Sequence, residues 1–79
     1  NPFNSTIKLS YGLPEATDVT INIYDLRGRM VESLVNDNKQ AGTYTISWKS
    51  ATNNTASGIY FVRMLAGDFK GVRKVTYIK

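Results

Sequence analysis

The chain contains no cysteine and no histidine. Without cysteine there are no disulfide staples and no thiolate metal sites, so a packed core has to hold the fold of 79 residues together. The two absences together remove the commonest general base, the commonest nucleophile and the usual transition-metal ligands. Acidic residues are few as well: Glu15, Asp18, Asp25, Glu32, Asp37 and Asp68 are scattered through turns, and no two have a spacing that implies a shared acid–base site. Long apolar runs are missing, none approaching the ~18 residues that span a bilayer. The expectation is a noncatalytic, soluble domain with no cofactor and no metal.

Apolar residues make up 42% of the chain, enough for one globular core over residues 1–79. A chain this short buries only about two-thirds of the surface its unfolded form exposes, so its stability margin is thin. It starts at Asn1 with neither methionine nor a charged-then-apolar leader, which points to a piece of a longer protein with its targeting segment elsewhere.

Net charge is +4, and the excess sits late, where Arg63, Lys70, Arg73, Lys74 and Lys79 face only Asp68. Such an end serves either as a footprint for an anionic partner or as a solvated face, and charge alone does not choose. Nucleic acid is not expected, because no exposed aromatic row, phosphate-cradling glycine loop or recognition helix accompanies the cations.

Alternation carries the secondary structure. "STIKLSYG" places Ile7, Leu9 and Tyr11 on one face, and Pro14 ends that strand. "DVTINIY" sets Val19, Ile21 and Ile23 inward, and its β-branched residues spaced by two exclude a helix. "DLRG" reads as a tight turn opened by Asp25 and left through a positive φ at Gly28. "RMVESLV" alternates poorly and predicts a bulge or exposure of some apolar residues. "NDNKQAGT" reads as a loop, after which "TYTISWK" places Tyr44, Ile46 and Trp48 on one face. "SATNNTAS" is another loop. "GIYFVRMLA" is apolar on both faces except Arg63, as in a central strand covered from two sides. Gly67 and Asp68 make the last turn, and the segment from Phe69 to Ile78 is the hairpin partner of the central strand. Six to seven strands with regular turns predict an all-β, antiparallel immunoglobulin-like β-sandwich, with Trp48 between its sheets.

Three weaker motifs have plainer readings. "VNDNKQ" offers hard oxygens but lacks the acidic positions of a calcium loop. "NST" at Asn4 and "NNT" at Asn53 fit the glycosylation pattern, which is short and often accidental. Five tyrosines and Trp48 raise a sugar-stacking face, but Tyr44, Trp48 and Tyr60 are expected in the core.

In combination, "NPFN", "LPEATDVTINIYDLRGRMV", "AGTYTISW" and "ASGIYFVRMLAGDFKGVRKVTYIK" resemble the C-terminal sorting domain of type IX secretion cargo (the Por secretion tail) over essentially the whole chain. The middle elements are also similar to the immunoglobulin-like domain of the flagellar hook-capping protein, and the long "KSATNNTAS" leans that way. The resemblance implies a signal at the C-terminus of an exported bacterial protein of the Bacteroidetes, folded in the periplasm and bound for the outer membrane surface or the medium. Its implied partners are the type IX machinery, a sortase-like peptidase and an upstream cargo domain. Residues carried over by position are Gly58, Tyr60 and Arg63, then Arg73, Lys74, Val75, Ile78 and Lys79, with Asp25, Gly28 and Arg29 in the turn motif. For Gly28 and Gly58 backbone freedom is the plainer explanation; for Lys74 and Lys79, recognition is favoured.

A terminal strand at a sheet edge offers free backbone groups to an added strand, with basic side chains selecting its charge. The same edge can pair two copies weakly, including by strand exchange. The alternative function is a structural, adhesive or carbohydrate-binding sandwich within a secreted multidomain enzyme.

Overall fold

The computed structural model describes residues 6–49 and 56–78. Among them are six strands: β1 (Thr6–Leu13), β2 (Thr17–Tyr24), β3 (Met30–Lys39), β4 (Gly42–Lys49), β5 (Gly58–Ala66) and β6 (Phe69–Tyr77). Every pairing is antiparallel; β1 and β4 form a two-stranded sheet, and the other four run in the order β3-β2-β5-β6. The chain changes sheet at β1–β2, β3–β4 and β4–β5, so each layer combines strands distant in sequence. This is the antiparallel sandwich that the alternation predicts.

The inward parity of each strand makes the core. Val19, Ile21 and Ile23 of β2 are 0–2% exposed and meet Ile7, Leu9 and Leu13 of β1. Trp48 is fully buried and sits edge-on to Tyr60, ring centroids 5.2 Å apart, and tilted against Tyr77 at 5.0 Å. Aromatic pairs of this kind contribute about 0.5–1.5 kcal/mol each beyond their buried area. One tryptophan thus joins β4 of one sheet to β5 and β6 of the other.

The uneven alternation of β3 has a structural cause. Its register with β2 shifts between Ile21 and Asn22 and again between Ile23 and Tyr24, leaving Leu34 and Val31 without direct partners. These are bulges, and they put Val35 in the core while Met30 and Val31 stay exposed.

Two expectations are corrected. The start of "NDNKQAGT" is strand, not loop: Asn36, Asp37, Asn38 and Lys39 pair with Thr20, Val19, Asp18 and Thr17 of β2, in that order. Their β-propensity is low, but an edge strand with a solvated face accepts polar residues once its neighbour supplies the ladder. β5 is central in order, yet only one of its faces is packed; on the other, Ile59 is 38% exposed and Arg63 is open to solvent. No layer lies over that side among the described residues. The last strand ends at Tyr77, with Ile78 beyond it.

Candidate functional site

β6 pairs with β5 alone among the described residues, so it is an edge strand with one row of backbone groups unpaired. Its side chains divide between two faces by parity. Lys70, Val72, Lys74 and Thr76 point outward, beside Leu65, Arg63, Phe61 and Ile59 of β5. Phe69, Gly71, Arg73, Val75 and Tyr77 share the core-facing side, beside Ala66, Met64, Val62, Tyr60 and Gly58.

The outer face is therefore a lattice of cations and apolar residues. Arg63 lies between Val72 of β6 and Asn22 of β2, and Val72 is 67% exposed. Asn22 donates from Nδ2 to Tyr24 Oη at 3.3 Å, while its Oδ1 is buried without a hydrogen bond. Arg63, Lys70 and Lys74, all exposed, converge on this one surface.

Residues that the resemblance groups together are thus separated by the fold. Arg63 and Lys74 share the outer face; Arg73 and Val75 lie on the other side of β6, where Val75 packs partly against the core. Ile78 follows the strand, 40% exposed. Lys79, Asn4 and Asn53 lie outside the described residues. Tyr60 is a core residue whose hydroxyl donates to the Ala56 carbonyl at 2.6 Å, anchoring the approach to β5. Gly58 opens β5 opposite Tyr77.

The turn motif is a self-contained hydrogen-bonded unit. Gly28 N–H donates to the Asp25 carbonyl at 3.0 Å, and Gly28 has φ +84°, the left-handed value that only glycine takes without strain. Asp25 Oδ1 accepts from Arg27 N–H at 2.9 Å and Arg29 N–H at 3.0 Å, and Oδ2 accepts from Arg29 Nε at 3.2 Å. The Arg29 N–H, first, with the Arg27 N–H and the Arg29 guanidinium, holds the Asp25 carboxyl below its usual value. These bonds account for Asp25, Gly28 and Arg29 as builders of the β2–β3 turn.

A feature absent from the sequence reading lies between the layers. Two strands cannot roof four, and along the core-facing side of β6 the cover thins from Tyr77, 4% exposed, to Phe69, 57% exposed. A groove opens there between β1 and β6. Its one sequence signal is Phe69, an aromatic at inward parity directly after a turn.

Over residues 1–79 the chain matches the family described as secretion system C-terminal sorting domain, and it belongs to that family of type IX secretion signals. No curated protein and no solved structure matches it.

Proposed function

We propose that the domain is a noncatalytic export address for a cargo preceding it in the chain, and that the machinery reads β6: its free edge together with Arg63, Lys70 and Lys74 on the outer face and Arg73 on the other. The carrying observation is that the most basic segment of a sorting domain is also an edge strand. Backbone groups along the edge give affinity to an added strand, and the cations select an acidic one. On this reading the cargo crosses the periplasm attached to the domain, and a sortase-like peptidase cuts upstream while joining the cargo to anionic lipopolysaccharide. The sugar-stacking alternative loses support, because among the described aromatics only Phe69 is exposed.

The test is surface display of a reporter fused upstream of Asn1, in a bacterium with the type IX system. Deleting residues 74–79 is a poor variant, since it removes Tyr77 from against Trp48 and unfolds the core as well as the signal. Lys74→Glu, and removal of residues 78 and 79 alone, leave that packing in place. Surface reporter falling about tenfold in either variant, with reporter intact in the periplasm, supports the reading. Unchanged export in both overturns β6 as the surface that is read.

A further inference from the structure

We propose that the open seam between β1 and β6 is a docking groove for an extended acidic segment of a partner protein, which adds as a third strand along β1. This goes beyond the export reading, which uses the free edge and outer face of β6 and shares only Arg73 with the groove.

The groove has a mouth of about 760 Å³ between the β1–β2 connection and the β5–β6 turn, and continues into a narrower floor of about 210 Å³. Leu9, Met64 and Phe69 make the floor apolar. Gly71 seats the Phe69 ring: a Cβ there would come within 2.9 Å of it, so only glycine lets that ring lie where it does. Above the floor, β4 takes one side of β1, and on the other side, toward β6, no strand is hydrogen-bonded to it among the described residues. An extended chain laid there would satisfy the β1 backbone and cover Phe69 together.

The polar groups of the floor define the occupant. Tyr11 Oη is buried and makes no hydrogen bond, and Arg73 is the one charged residue lining the floor. Burial of Tyr11, and then the neighbouring Tyr44, raise the pKa of its hydroxyl, so at neutral pH it is a proton donor. A donor phenol and a guanidinium lining one groove call for carboxylate or carbonyl acceptors. Glu15 and Asp68 line the mouth only, which sets the occupant's acidic residues toward the floor end. A second copy of this chain is the wrong match: each carries +4, so the pairing would bring like charges together.

The probe is an acetylated, amidated octapeptide of alternating valine and glutamate, as long as β1, titrated into the 15N-labelled 79-residue domain. The expected result is saturable shifts at the amides of Ser10, Gly12, Gly71 and Arg73, with affinity about tenfold weaker for Arg73→Glu and for a peptide carrying lysine in place of glutamate. Tyr11→Phe keeps the ring and weakens binding several-fold by removing one donor. Equal binding of the two peptides, shifts confined to β3, the outer face or the outer edge of β6, or no saturable binding overturns the proposal. None of these outcomes bears on reporter export by Lys74→Glu.

Discussion

The indole Nε1–H of Trp48 on β4 reaches across the sandwich to Oε1 of Glu32 on β3, 3.3 Å away. The two residues belong to different sheets, and the indole is fully buried. Glu32 is brought into reach by the bulges of β3, which set it opposite Ile23. In urea unfolding, Trp48→Ala is expected to cost about 3–5 kcal/mol, a large share of what a domain of this size holds. Glu32→Gln keeps an acceptor and stays near the parent, whereas Glu32→Leu leaves the indole donor unpaired and costs about 1–3 kcal/mol. Equal stability of the Gln and Leu variants would show that the bond contributes nothing.

Asp25 gives the domain a dependence on acid. Its carboxyl is held below its usual value, so its contribution is complete above the unfolded value, about pH 3.9, and is lost as pH falls through the lower folded value. Asp25→Asn is expected to be less stable than the parent at pH 6, and the difference should narrow as pH falls through the lowered folded value of Asp25. Thermal unfolding of both proteins across that range measures it; a constant gap would contradict the assignment.

Gly67 occupies the β5–β6 turn with φ +57°, and a Cβ there would approach Thr17 Oγ1 to 3.1 Å. Gly67→Ala is expected to cost roughly 1–2 kcal/mol for the left-handed backbone, with the Thr17 contact adding to it. A melting temperature lowered by about 4–8 °C per kcal/mol is the readout. An unchanged melting temperature would mean that the turn relaxes freely.

Tyr60 tests whether family-motif residues build the fold or meet the machinery. Its hydroxyl bonds the Ala56 carbonyl and its ring packs on Trp48. Tyr60→Phe is expected to lose about 1 kcal/mol of stability while surface display of an upstream reporter stays unchanged. Lost display with the fold intact would move Tyr60 into the recognition surface.

Most strands were readable from alternation because the pleat has a period of two. Ile7 and Leu9, Val19, Ile21 and Ile23, and Trp48 declare their buried face without knowledge of any partner. Turn chemistry was equally local: Asp25 and Gly28 carry the turn in their own side chain and backbone. The polar end of β3 was not readable, because Asn36 to Lys39 are strand only by virtue of the β2 residues beside them. Nor did the order of residues show which of Arg73 and Lys74, adjacent in the chain and so on opposite faces, lies on the core side of the sheet.

By itself, the sequence determined the all-β class, the inward residues, the tight turns, the basic last strand and the family. These follow from local sterics and period-two burial, or from motifs that are read in order. Only the tertiary structure decided that β6 is an edge, that two strands roof four and that Tyr11 and Arg73 line one groove. Those relations join strands far apart in the chain, and they are set by how the layers pack, which no local pattern records.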